Sequence, residues 1–184
     1  MQQKKLIQNL NKLKEKKFFF YILITFNSLI FTLYYGYRGI FPIDSFLNFN
    51  SGYNVLNNFH PFKDYWSITG PLLDYLQSAF FLIFDVNWFS HVIHAAFINT
   101  GLAIFIFYFF NKIKLNQNLS LIYAIAISIL AYPSIGTPFV DHHAVIFCLF
   151  SICCFIIHIN GRIFFSIYLV GFHNFVILTI GFRI

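Results

Sequence analysis

Charge is the scarcest commodity in this chain. Only 10% of its 184 residues are charged, and just six are acidic. Soluble domains carry about a quarter charged residues, so this chain has too little polar surface to cover a water-soluble fold. Its three cysteines, Cys148, Cys153 and Cys154, form no CxxC pair and sit inside one apolar run. They read as small buried hydrophobes rather than a metal or redox motif. No glycine-rich phosphate loop, zincin helix or nucleophile elbow is present, which removes the common nucleotide-binding, metalloprotease and serine-hydrolase signatures. An A-x-A-like cleavage site after the first apolar run is also missing, so that run reads as an uncleaved anchor. Internal repeats and low-complexity linkers are absent too.

What remains is apolar. Hydrophobic residues make up 59% of the chain, and its mean hydropathy is +0.71. The expected class is an all-α integral membrane protein. The net charge of +6 does not point to nucleic acid, because six of the twelve basic residues precede the first apolar run: Lys4, Lys5, Lys12, Lys14, Lys16 and Lys17. Such a cluster holds its end of a span in the cytoplasm, and it lacks the interleaved aromatics of a base-stacking surface.

Residues 1–17 therefore read as a basic cytoplasmic N-terminus, and residues 18–184 as a transmembrane domain. Apolar runs at 18–35, 88–110, 119–132, 144–159 and 163–181 give about five transmembrane helices. Alternating them across the membrane puts Lys112, Lys114 and Arg162 inside. It puts Asp44, Asp64, Asp74, Asp85 and Asp141 outside. The expected location is the inner (cytoplasmic) membrane, multi-pass, with its lipid bilayer as surroundings.

Four of the six acids lie in one long loop, 37–87, on the extracytoplasmic side. Phe46, Phe49, Tyr53 and Leu56 recur at spacings of three and four, the pattern of a helix lying in the membrane interface with its aromatic face down. Thr69-Gly70-Pro71 opens a second interfacial helix, since proline suits the first helical position. Leu72, Leu73, Leu76, Phe80 and Ile83 are expected to face the bilayer. Asp74, Gln77 and Ser78 share the opposite face, where they do no more than make it polar. A turn with Lys63, Asp64, Tyr65 and Trp66 joins the two helices.

Several residues could carry chemistry, and each has a plain structural reading beside it. Asp44, at the outer end of the first span, could act as a base or cap a helix starting at Ser45. Asp64 with Tyr65 and Trp66 suits sugar binding, in which a ring face stacks and hydroxyls donate to the acid. The same residues also suit an interfacial anchoring turn with a Lys63–Asp64 pair. Asp141-His142-His143 could bind a divalent metal ion or a phosphate, or simply end a transmembrane helix. Adjacent side chains diverge, so one histidine at most joins Asp141. His91 and His94 share a helical face that could meet this cluster, and hydrogen bonding at the interface is the preferred reading for them. His158 and His173 carry no assigned role.

The order of these blocks resembles the GT-C superfamily of polyprenyl-phosphate-sugar-dependent glycosyltransferases. The blocks are a basic N-terminus, one span, Pro42-Ile43-Asp44, Pro61-Phe62-Lys63-Asp64-Tyr65-Trp66, Gly70-Pro71-Leu72-Leu73-Asp74, and Thr137-Pro138-Phe139-Val140-Asp141. The nearest kin by this pattern are bacterial relatives of protein O-mannosyltransferases and the aminoarabinose transferase of lipid A. The resemblance runs over roughly residues 18–157, and its most specific part is the Pro61 to Leu73 segment. It implies a transferase moving a sugar from a polyprenyl-phosphate donor to an extracytoplasmic acceptor. In this reading Asp44 and Asp64 are catalytic, Lys63, Tyr65 and Trp66 bind substrate, and Asp141 with His142 holds the cation or positions the phosphate. Many members have Asp-Glu where this chain has Asp44-Ser45, so one carboxylate of that pair is missing. Members also continue through more spans, so the expectation is an incomplete, truncated chain. The alternative is a non-enzymatic membrane scaffold or subunit whose loop binds a partner. A small transporter is third, because charges are nearly absent from the middle of the spans.

Overall fold

A computed structural model describes the backbone of residues 2–38, 42–67, 70–131 and 136–159, with side chains from residue 15 onward and, in the second helix, from residue 45 onward. It consists of six helices joined by turns and irregular segments, with no strand among the described residues. These are α1 (Gln2–Gly36), α2 (Pro42–Leu56), α3 (Pro71–Phe84), α4 (Trp88–Lys112), α5 (Gln117–Leu130) and α6 (Val140–Ile159). The expected fifth span, 163–181, lies outside the described residues.

Three helices are long and apolar enough to cross a membrane: Glu15–Gly36 within α1, then α4 and α6. The run expected over 119–132 forms α5, with only 14 residues. At about 1.5 Å per residue it reaches roughly 21 Å, short of a hydrocarbon core about 30 Å thick. Pro133 follows closely, and a proline disfavours helical backbone in the residue before it.

Local signals explain where the helices begin. Pro71 occupies the first turn of α3 after Gly70, as expected. Asn87 caps α4 through a reciprocal box with Ser90, and Asn116 caps α5. Each side-chain oxygen satisfies an amide that has no partner inside the helix.

Helix α4 is the hub. Buried residues make up 61% of its apolar window, against 22% in α1 and 28% in α6. Its inward stripe of Ser90, Ala95, Ala96, Thr100 and Ala103 is small, which lets neighbouring backbones come close. Helix α1 runs antiparallel to it. The Trp88 indole donates to the Gly36 carbonyl at 2.9 Å at one end, and Tyr21 packs edge-on against Phe107 at 5.0 Å at the other. Midway, the Asn99 amide reaches Ser28 Oγ, Thr32 Oγ1 and the Ser128 carbonyl at 2.8–3.1 Å, and Asn27 donates to Ser128 Oγ. This polar layer ties α1, α4 and α5 together. Helix α6 packs on α4 through Ile146, Cys153 and Ile157. Cys153 and Cys154 are buried free thiols, as their apolar setting suggested.

The two ends of the bundle differ in chemistry. Lys16 donates to Asn118 at the start of α5, and Lys112 lies over the Tyr108 ring just before the α4–α5 turn. The opposite pole carries Asp64, Asp74 and the N-terminus of α6 with Asp141.

The α2–α3 hairpin covers that opposite pole. Gly52 of α2 lies so close to Gln77 of α3 that an added Cβ would collide with it, and Phe49 packs edge-on against Phe81 at 4.8 Å. Helix α2 turns Ser45, Asn48 and Ser51 inward and leaves Phe46 and Tyr53 exposed. Helix α3 buries Asp74, Gln77 and Ser78 and exposes Leu82 and Ile83. Leu73 departs from expectation. It is fully buried because it adjoins Asp74 on the face that α2 and α4 cover.

Candidate functional site

Three polar groupings meet at the pole under the hairpin. The first surrounds Asp74, whose carboxylate is fully buried. Tyr65 Oη and Ser67 Oγ both donate to its Oδ2 at 2.9 Å. The Tyr65 hydroxyl also lies 3.4 Å from the Ser51 carbonyl of α2. Partial burial and the nearby Asp74 carboxylate together push the Tyr65 phenol well above its ordinary range. The hydroxyl is thereby held as a donor.

The second grouping is built on Gln77. Its Oε1 lies 2.9 Å from Nδ1 of both His91 and His94, one helical turn apart on α4. All three side chains are fully buried. The His94 ring packs against Phe80 at 4.7 Å and against His143 of α6 at 5.1 Å. His91 and His94 therefore do what their shared face suggested: they hydrogen-bond at an internal interface and link α3, α4 and α6.

The third grouping docks the loop before α6 onto α2. Ser45 Oγ lies 3.0 Å from Thr137 Oγ1, and Asn48 donates to the Pro138 carbonyl at 2.8 Å. Gly136 allows this approach. Its φ is +62°, and a Cβ there would collide with the backbone of Gly36. Helix α2 begins at Pro42, so Asp44 lies in its first turn instead of capping a helix at Ser45. Its side chain lies outside the described residues. Its chain neighbour Ser45 touches Thr137, four residues before Asp141.

The turn between α2 and α3 separates the four residues that the sequence groups together. The Asp64 carboxylate accepts the His60 N–H at 2.8 Å, and the Asp64 N–H returns to the His60 carbonyl at 2.9 Å. This closes the turn, with Phe62 in the left-handed region at φ 64°. Asp64 is thus an exposed carboxylate on a tight support, with no ion pair to Lys63 among the described residues. Lys63 is exposed, and Trp66 is 80% exposed against the Phe62 edge at 5.5 Å. Tyr65 is half-buried and turns its hydroxyl to Asp74.

Asp141 and His142 line one apolar groove of about 430 Å³ between α4, α5 and α6. His143 turns the other way and is buried against His94, so one histidine accompanies Asp141, as adjacent positions on a helix require. Among the described residues no three His, Cys, Asp or Glu side chains assemble into a cation site.

Asp74 and Gln77 are the site residues that the sequence under-ranked. The available signal was their common face with Ser78 on a helix that is otherwise apolar. No family model, curated protein or solved structure matches the chain.

Proposed function

We propose that this chain is a membrane glycosyltransferase that moves a sugar from a polyprenyl-phosphate carrier to an acceptor at the pole bearing the α2–α3 hairpin. The observation that carries this reading is the meeting of sequence blocks far apart in the chain. The Asp44 block joins the Thr137–Asp141 block through Ser45–Thr137 and Asn48–Pro138. The Lys63–Trp66 turn joins α3 through Tyr65–Asp74. Residues that the family resemblance marks as functional thus share one end of a bundle with three membrane-length helices.

In this mechanism Asp44 takes the proton from the acceptor hydroxyl. The oxygen attacks the anomeric carbon opposite the phosphate, the glycosidic carbon–oxygen bond to phosphate breaks, and polyprenyl phosphate leaves. The sugar is inverted. Asp64, exposed and braced by His60, receives sugar hydroxyls, with Trp66 as a stacking face and Lys63 as a charge for the donor. Tyr65 serves differently. Bonded to Asp74, it positions the turn and does not touch substrate.

The competing reading is a membrane scaffold. It is favoured by the fact that Tyr65 and Ser67 bond to Asp74, and His91 and His94 to Gln77, within the protein. The test is to incubate membranes containing the chain with a radiolabelled polyprenyl-phosphate sugar and to follow release of free polyprenyl phosphate. Release should exceed that of membranes lacking the chain, and Asp44→Asn should lower it by about a hundredfold or more, the usual worth of a positioned base. Equal release with and without the chain selects the scaffold.

A further inference from the structure

The groove between α4, α5 and α6 runs along the side of the bundle and ends at Asp141, at the pole that the hairpin covers. Its walls are Leu102 of α4, Ile127 and Leu130 of α5, and Val145 and Leu149 of α6. From Leu149 it rises along two turns of α6 to Asp141 and His142. Leu130 is 76% exposed and Val145 59% exposed, so the groove opens sideways, toward the lipid in a chain that spans a membrane. Its volume of about 430 Å³ falls within the range of ligand-sized sites.

We propose that this groove binds a diacyl lipid whose headgroup ends in a primary amine. One hydrocarbon chain lies along Val145 and Leu149, and the ammonium pairs with the Asp141 carboxylate. The argument turns on what a membrane groove can discriminate. Lipid tails are as apolar as leucine, so exchanging one tail for another against this wall gains almost nothing. Selection must come from the polar end. There the structure places an exposed carboxylate and an imidazole, with no Lys or Arg among the described residues that line the groove. A carboxylate at that mouth favours a compact ammonium that donates three hydrogen bonds and disfavours a lone phosphate. A quaternary amine carries the same charge but has no N–H to donate, which makes it the natural control. This inference is independent of sugar transfer and stands or falls separately.

The experiment is native mass spectrometry of the purified full chain in detergent, titrated with phosphatidylethanolamine and with phosphatidylcholine of identical acyl chains. The expected result is a preference for the ethanolamine lipid of roughly two- to fivefold, the size of an exposed ion pair. Asp141→Asn, a near-isosteric change at an exposed position, should abolish the preference, and Asp141→Glu should keep it. Val145→Trp, which fills the groove from its open side, should weaken binding of both lipids. Equal affinity of the parent for the two lipids overturns the proposal, as does a preference that survives Asp141→Asn. So does failure of the parent to bind either lipid, the result expected if the chain's own residues fill the groove. Unchanged binding to Val145→Trp also overturns the placement of the tail.

Discussion

Tyr65→Phe removes a single oxygen and tests the assembly of the whole hairpin. In the parent that oxygen donates to the buried Asp74 carboxylate at 2.9 Å, and Ser67 Oγ donates to the same Oδ2. A hydrogen bond to a carboxylate is worth about 1.5–3 kcal/mol. The ring stays, so packing against Ser51 and α3 is little changed, and most of the loss is the bond itself. For a chain of this size 1 kcal/mol moves Tm by about 2–4 °C, so the expected drop is roughly 3–12 °C. Thermal unfolding of the detergent-solubilised protein measures it, with Trp66→Phe as control because that ring is 80% exposed. Alkaline pH supplies a second readout. The folded phenol titrates well above its ordinary 10.0, while the unfolded phenol titrates near it. Above pH 10 the unfolded state therefore binds fewer protons than the folded one, and stability falls as pH rises. That fall should be smaller in Tyr65→Phe. A Tm change under about 1 °C refutes the reasoning. So does strict additivity of Tyr65→Phe and Asp74→Asn, because bonded partners must couple.

Other outcomes separate large effects from small ones. Gly136→Ala puts a Cβ against the Gly36 backbone at a left-handed φ. It should cost at least about 1–3 kcal/mol, seen as lost monodispersity in size-exclusion chromatography. Asn99→Leu removes both N–H donors of a buried amide and should cost about 1 kcal/mol, at the roughly 0.6 kcal/mol average per hydrogen bond between membrane helices. A fall in thermal stability as large as that of Gly136→Ala would sink that estimate. Asp44→Asn should lower release of polyprenyl phosphate without lowering Tm, which distinguishes a base from a structural acid.

The groove raises a related point about Asp141. Sequence placed it beside two histidines and offered cation, phosphate or helix end as readings. The structure divides those histidines, sending His143 into the α4 interface and leaving His142 with Asp141 on the groove. Two adjacent residues on α6 thus serve different surfaces. Nothing in the letters Asp-His-His says which histidine goes where, because that depends on the face α6 turns toward α4.

Sequence by itself determined which helices are long, where α3 and α4 begin, and the polarity of the two poles. Hydropathy marks α1, α4 and α6 because bilayer thickness is a local constraint on each run. Pro71 starts α3, and the Lys-bearing turn after α4 separates the basic end from the acidic one, since capping and charge act within a turn or two. The rank of the acids was decided only by the fold. Asp74, Gln77 and Ser78 form the same polar stripe whether it faces water or protein, yet the stripe is buried under α2. Asp64 and Tyr65 are neighbours, yet one closes a turn at the surface and the other reaches inside. The bonds that settle these roles join Ser45 to Thr137 and Gln77 to His91 and His94 across 92, 14 and 17 positions. Polar atoms that far apart in the chain find each other through helix packing, and no local pattern encodes which pair will meet.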